Sequence, residues 1–121
     1  MLRPLVGLLA FACAAGLAIH ADAHAFLDHA MPAVGSTIHT PPPQVKVWFT
    51  QRIEPVFSAV QVFDAGGKRV DKADARVDLA DPTLLVVTLP RLAPGTYRVK
   101  WRVLSIDSHA TEGDFRFEIA P

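Results

Sequence analysis

The feature that most limits how this chain can fold is an alternation of apolar and polar side chains, repeated in several segments. A two-residue period is typical of a β-strand that buries one face, and no window after residue 24 carries a convincing 3.6-residue helical period. The pattern is clearest in TYRVKWRVLSI (96–106) and DFRFEI (114–119). The predicted inward-facing residues are Tyr97, Val99, Trp101, Val103, Phe115, Phe117 and Ile119, opposite Arg98, Lys100, Arg102, Arg116 and Glu118.

Three further segments complete the predicted sheets. QVKVWFT (44–50) and AVQVFD (59–64) alternate in the same way, and TLLVVTL (83–89) is apolar on both faces, as in a strand at the middle of a sandwich. About seven short strands in roughly a hundred residues predict an all-β fold. We expect an antiparallel Greek-key β-sandwich or barrel of immunoglobulin-like kind.

Glycine and proline residues separate these segments. The prolines of HTPPPQ (39–44) exclude a helix or a central strand, so we expect a stiff extended connection there. We also predict a two-residue hairpin loop at Gly66–Gly67, an interruption of the strand pattern at Asp81–Pro82 and a type II turn centred on Pro94–Gly95.

The first 23 residues have the layout of a cleaved secretory signal peptide. Arg3 precedes an apolar run from about Leu5 to Ile19, and Ala21 with Ala23 forms an A-x-A cleavage site. The run is shorter than the roughly 20 apolar residues that a bilayer-spanning helix needs. We therefore expect a secreted domain of residues 24–121 that does not insert into a membrane once the signal is removed.

The position of the cut decides what His24 can do. Cleavage after Ala23 would make His24 the first residue, and a histidine at a free amino terminus offers two nitrogen donors, its amine and its imidazole. A second A-x-A, formed by Ala23 and Ala25, would move the cut two residues later and remove His24. The spacing alone does not choose between the two.

Composition excludes several classes of function. The only cysteine, Cys13, lies in the signal peptide, so the mature domain would have no thiol for disulfides, redox chemistry or metal binding. The chain has 12 basic and 12 acidic residues, and losing Arg3 and Asp22 with the signal preserves that balance. It therefore has no basic footprint for nucleic acid or anionic lipid. Nothing in the sequence requires more than a monomer.

The candidate chemistry lies in SIDSHATEGDF (105–115). The chain has no H-E-x-x-H motif, phosphate loop or G-x-S-x-G elbow. We also expect no serine triad to form, because in an extended chain Ser108 would point away from Asp107 and His109. Asp107 and His109 would then share one face and make half of a metal site. His24 as a first residue would complete an N,N,N,O set that favours copper(II). Alternatively, Asp107 only caps a turn.

Several segments together carry a family resemblance. HAFLDHAMPAVGSTI follows the signal peptide, and VKVWFT, EPVFSAVQVFD and LAPGTYRVKWRVLSIDSHATEGDFRFEI follow in order. The most specific parts are the initiating His24 with Pro32, Gly35 and Ser36, and the block PGTYRVKWRVLSIDSH. Across nearly all of residues 24–121, the chain resembles the CopC family of bacterial periplasmic copper-binding proteins.

The resemblance implies a fold, a ligand set and a role. The fold is a small Greek-key, cupredoxin-like β-barrel or sandwich. The ligands are the amine and imidazole of His24 with Asp107 and His109, holding one copper(II) ion. The role is to bind and carry copper in the periplasm for transport, resistance or homeostasis, often beside a CopD-type inner-membrane protein, with no catalytic activity.

Two departures from the family modify this expectation. Some members have a methionine-rich copper(I) site, but this mature chain has only Met31, so we expect no such site. Where the family often has a glutamate that supports the ligands, this chain has Gln51, and the nearby Glu54 is a partial substitute. We expect His29 and His39 to be surface residues, and Trp48 and Trp101 to lie in the core or at its edge.

Two other functions fit the same residues. An amino-terminal histidine with a second histidine also forms the copper brace of oxidative polysaccharide-cleaving enzymes. A metal-free sandwich acting in adhesion or as an accessory domain is the other alternative.

Overall fold

The computed structural model describes residues 24–121; the predicted signal peptide, residues 1–23, lies outside them. Two four-stranded sheets form a sandwich, as the alternation predicted. Among the described residues, no helix is long and apolar enough to cross a bilayer. The elements are β1 (Leu27–Met31), β2 (Thr37–Ile38), β3 (Gln44–Phe49), a 3-10 turn (Pro55–Phe57), β4 (Ala59–Phe63), β5 (Arg76–Val77), β6 (Leu84–Thr88), β7 (Gly95–Leu104) and β8 (Ala110–Ile119).

The strand order is β1-β3-β6-β5 in the first sheet and β2-β8-β7-β4 in the second. Neighbouring strands are antiparallel except β2 and β8, which pair in parallel at the edge of the second sheet. The predicted all-β sandwich is therefore confirmed, with eight strands in the described part of the chain rather than about seven. The two short strands, β2 and β5, have two residues each, too few to show an alternation.

The core lies between the two sheets and is built from the predicted inward positions. Strand β6 lies between β3 and β5, and side chains on both of its faces are buried: Leu84, Leu85, Val86 and Val87. Its predicted central place is confirmed. The largest fully buried apolar side chains are Phe117, Leu85, Ile119, Val45, Val47, Val60, Val62, Val87, Val99 and Val103.

The two tryptophans occupy the predicted positions, one in the core and one at its edge. Trp101 is buried and meets the Phe49 ring edge-on at 5.1 Å. Gly113 faces Trp101 across β7 and β8, and a Cβ there would lie 2.6 Å from the indole ring, so only glycine fits without a shift. Trp48 is half-buried, and its ring stacks against His29 rather than lying among the buried residues.

Two predicted turns differ from the structure. The hairpin after β4 has three residues between Asp64 and Lys68, and only Gly67 has a positive φ, because the Asp64 side chain accepts hydrogen bonds from the Gly66 and Lys68 amides and widens the loop. The type II turn is wrong: Gly95 has a φ of +156° and already pairs with Ile119 as the first residue of β7. The turn after Asp81 is confirmed. The proline segment before β3 contains neither helix nor strand, as expected, but bends at residues 39, 40 and 43.

A buried carboxylate organises the segment between β4 and β5. Asp71 has a fully buried side chain and receives two hydrogen bonds of 2.9 Å from Arg69. The amides of Val62 and Ala73 also donate to it. Burial acts to raise the pKa of Asp71, but these four bonds outweigh it and hold the pKa below its ordinary value. Every lone pair is therefore engaged in stabilising the fold.

One end of the sandwich gathers the segments that carry the predicted ligands. Leu27, at the start of β1, pairs with Phe49, at the end of β3. Leu104, at the end of β7, pairs with Ala110, at the start of β8. The amino-terminal residues and the connection between β7 and β8 lie at this same end, as the hydrogen bond from the Thr111 hydroxyl to the Ala25 carbonyl shows.

Candidate metal centre

A tight turn between β7 and β8 presents Asp107 and His109. β7 ends at Leu104, and the Ser108 amide donates to the Ser105 carbonyl at 2.9 Å. Ser108 has a φ of +69°, which reverses the chain. The expectation of an extended chain here is therefore wrong, because β7 and β8 form a hairpin. The turn nevertheless brings Asp107 Oδ2 to 3.1 Å from His109 Nδ1.

A buried hydroxyl supports this turn from the side of the core. Ser105 is fully buried, and its Oγ donates to the Asp107 carboxylate. The same oxygen lies 3.3 Å from the His109 amide and 3.1 Å from the His109 carbonyl. Ser105 therefore holds both predicted ligand residues at once. Sequence reasoning missed it, although its position continues the buried series of β7, where a polar residue signals a specific partner.

The amino-terminal segment is fixed against the same turn. Ala25 is fully buried, and its carbonyl accepts a hydrogen bond from the Thr111 hydroxyl. The Phe26 amide donates to Thr50 Oγ1 at 3.0 Å, and the Thr50 amide donates to the Phe26 carbonyl at 2.8 Å. These bonds position His24, whose ring stacks on the His109 ring with centroids 4.5 Å apart and planes 19° apart.

All three predicted ligand residues are thus neighbours at the surface. The side chains of His109 and Asp107 are 56% and 31% exposed. The rings of His24 and His109 stack rather than point at one atom, and among residues 24–121 no three His, Cys, Asp or Glu side chains surround a common point. The site gathers the donors; a bound ion would require the rings to turn.

The local electrostatics favour an ionised carboxylate. The hydrogen bond from Ser105 has the largest influence on the pKa of Asp107 and lowers it. Desolvation acts in the opposite direction, but the bonds and charge of His109 add to the effect of Ser105, so the pKa lies below its ordinary value. An ionised carboxylate beside two imidazoles offers a hard oxygen and two borderline nitrogens, a combination that suits copper(II), zinc or nickel.

The other predicted residues lie apart from these donors or make no bond to them. Gln51 and Glu54 are on the loop after β3, and neither side chain makes a hydrogen bond among the described residues. His29 pairs with its neighbour Asp28 and stacks on Trp48. His39 lies at the opposite end of the sandwich, where it lines a cavity of about 480 Å³ with Met31 and several prolines.

Fold and site together define a small β-sandwich domain with an exposed cluster of imidazoles and a carboxylate at one end. The chain belongs to the CopC domain family, which matches residues 27–120. Its resemblance to that family is therefore confirmed.

Several known proteins are similar to this chain. It is 32% identical to Protein YobA of Escherichia coli K12 over 98 residues, 80% of this chain and 79% of YobA. It is 30% identical to copper resistance protein C of E. coli over 112 residues, 86% of this chain and 87% of that protein. Copper transport protein CutJ of Bacillus subtilis is 29% identical over 98 residues, 80% of this chain but only 18% of CutJ.

The fold agrees with a solved structure of the family. The crystal structure of CopC from Methylosinus trichosporium OB3b superposes with a TM-score of 0.76 at 37% identity, covering 81% of this chain and 95% of that one. The sandwich and its strand arrangement are therefore those of a CopC domain.

Proposed function

We propose that this protein binds one copper(II) ion in the periplasm and holds it for transfer, as a monomer without catalytic activity of its own. Its membership of the CopC family and its similarity to copper resistance protein C support a copper-handling role. The ion is bound by the amine and imidazole of His24, by Asp107 and by His109.

The observation that carries the proposal is the meeting of two distant parts of the chain. His24 and His109 are far apart in sequence, yet their rings lie 4.5 Å apart. Asp107 Oδ2 lies 3.1 Å from the same His109. Cleavage after Ala23 would add the His24 amine and complete a set of three nitrogens and one oxygen, the donors that copper(II) prefers in a tetragonal site.

The exposure of the donors suits a carrier rather than a permanent metal site. Binding would exchange the ring stack and the imidazole–carboxylate bond for bonds to copper, and both rings can turn at the surface. The same exposure allows a partner to approach the ion. We propose a CopD-type membrane protein as the partner. In CutJ, a region similar to this chain is one part, 18%, of a longer copper transport protein.

Two alternatives make different predictions. An oxidative enzyme of the histidine-brace type needs an open coordination position for oxygen, and we expect Asp107 to occupy that position. Oxidation of a polysaccharide by the copper-loaded protein with ascorbate or hydrogen peroxide would favour the enzyme. A metal-free accessory domain would give the same copper titration with and without the Asp107 and His109 side chains.

The deciding experiment is native mass spectrometry of the secreted protein with and without one equivalent of copper(II). We expect a chain that begins at His24 and retains one copper ion. The matched control is a form with one alanine added before His24, which keeps every side chain but moves the amine. Secreted protein beginning at Phe26, or equal copper retention by the extended form, would contradict the proposed ligand set.

A further inference from the structure

Four large apolar side chains are exposed to solvent on segments that carry the proposed copper ligands or are bonded to those segments. They come from three separate segments, and none is part of the proposed ligand set. We call them the apolar rim: Phe26, Val56, Phe57 and Ile106, whose exposures are 43%, 85%, 66% and 59%.

On one side, the rim touches the ligands directly. The Phe26 ring lies parallel to the His24 ring, with centroids 6.1 Å apart and planes 13° apart. The two hydrogen bonds between Phe26 and Thr50 fix this part of the chain to the loop that follows β3. That loop continues to the next part of the rim.

On the other side, the loop after β3 is fixed to the end of β7. Ile53 forms an isolated bridge with Ser105, and the Glu54 amide donates to the Leu104 carbonyl at 2.8 Å. The 3-10 turn Pro55–Phe57 follows at once, and Ile106 follows Ser105. The loop after β3 therefore connects the segment of Phe26 to that of Ile106, the residue before Asp107.

The 3-10 turn has no structural reason to be apolar. It buries none of its three residues, so Val56 and Phe57 add nothing to the core. Exposed apolar surface costs free energy in water, and a contiguous patch next to a polar site is typical of a surface that another molecule covers.

We infer that the apolar rim is the docking surface for a copper-accepting protein, whose matching apolar surface surrounds its own metal ligands. This inference rests on the proposed function. Apolar side chains near the donors would exclude water while the ion passes from His24 and His109 to the partner. A lipid surface offers no comparable nitrogen or sulfur ligands.

Charge also favours a protein over an anionic membrane. Arg52 is the single basic residue within 50–58 and 104–109, whereas Glu54 and Asp107 carry negative charge there. Anionic lipid attracts clusters of basic residues, which this end lacks. The similarity to CutJ is consistent with this kind of partner, because there the matching region is 18% of a longer copper transport protein.

Site-specific photocrosslinking in the cells that produce the full chain tests the inference. A benzoylphenylalanine replaces Phe57 or Ile106, and Val34, which is 55% exposed outside the rim, is the matched control position. We expect adducts with one envelope protein from positions 57 and 106 and none from position 34. Phe26→Ser should abolish the adduct formed from position 57.

The captured protein must then accept copper. The double variant Phe57→Ser, Ile106→Ser should keep the copper affinity of the wild type but transfer the ion to the purified partner about tenfold more slowly, the effect of losing roughly 1.4 kcal/mol of binding. The variant Val34→Ser should transfer at the wild-type rate. If wild-type protein fails to bind copper, the proposed function fails independently of the crosslinks.

Four outcomes would overturn the docking surface. They are equal adducts from positions 34, 57 and 106; adducts with lipid or with a second copy of the chain; absence of any adduct; and equal transfer rates from the wild type and the rim variant.

Discussion

Among residues 24–121, two aspartate–histidine pairs lie at the surface, and they differ in what surrounds them. In β1, His29 Nδ1 lies 2.7 Å from Asp28 Oδ2. In the turn after β7, His109 Nδ1 lies 3.1 Å from Asp107 Oδ2. Both histidine side chains are similarly exposed, at 57% and 56%. The pair itself therefore does not distinguish a ligand site from an ordinary surface contact.

What distinguishes the second pair is a second imidazole and a buried support. His109 stacks on another histidine, His24, whereas within the described residues His29 stacks on Trp48 and on no second imidazole. Ser105 holds the second pair from the core. Asp71 gives a third case, in which a buried carboxylate saturated by four hydrogen bonds has no capacity left for a ligand.

Removing one histidine from each pair is the strongest test of this difference. We expect His109→Ala to lower copper(II) affinity by more than about 100-fold, the upper end of losses seen for residues that only support a ligand. His29→Ala should leave the affinity unchanged. Competition titration against a copper(II) chelator measures both. Equal losses in the two variants would place the ion elsewhere or spread it over both pairs.

The second test removes the buried support. Ser105→Ala deletes the hydroxyl that bonds Asp107 and the His109 backbone, and we expect copper affinity to fall about 10- to 100-fold. The electron paramagnetic resonance spectrum of bound copper(II) should also change, because Asp107 loses its fixed orientation. The control is Ser108→Ala, which removes an exposed hydroxyl of the same turn that makes no hydrogen bond among the described residues. An unchanged spectrum in Ser105→Ala would contradict the supporting role.

The third test is pH. Copper ligands must be deprotonated, so protons compete with copper(II) for the amine and imidazole nitrogens as the pH falls. The lowered pKa of Asp107 keeps its carboxylate ionised down to about pH 5. Affinity should therefore fall as the pH is lowered from about 8 to about 5, through protonation of nitrogen donors. A flat profile would contradict the nitrogen-rich ligand set.

Much of the fold follows from local sequence, because burial of one strand face repeats every second residue. The alternation located β3, β4, β7 and β8, and the doubly apolar segment located β6 in a central place. The short strands β2 and β5 were missed. Their two residues pair with β8 and β6 through contacts that no local pattern encodes.

The site shows the same limit. The D-x-H spacing suggested Asp107 and His109 through an extended geometry that the turn at Ser108 replaces. The meeting with His24 follows from tertiary contacts, including the hydrogen bond from Thr111 to Ala25. The family resemblance, rather than a local pattern around Asp107 and His109, indicated His24 as a ligand. The roles of Ser105 and the rim depend on burial and exposure, which the sequence leaves open.

The smallest expected effect concerns the pair that we exclude from the site. The His29 ring lies flat on Trp48 at 4.3 Å, and an imidazole in contact with an indole alters the fluorescence of the indole. In a Trp101→Phe background, so that Trp48 is the single tryptophan, His29→Ala should change the Trp48 emission slightly. The copper affinity should stay the same. A fluorescence change that instead follows copper in the wild type and disappears in His29→Ala would bring this pair into the site and erase the difference between the two.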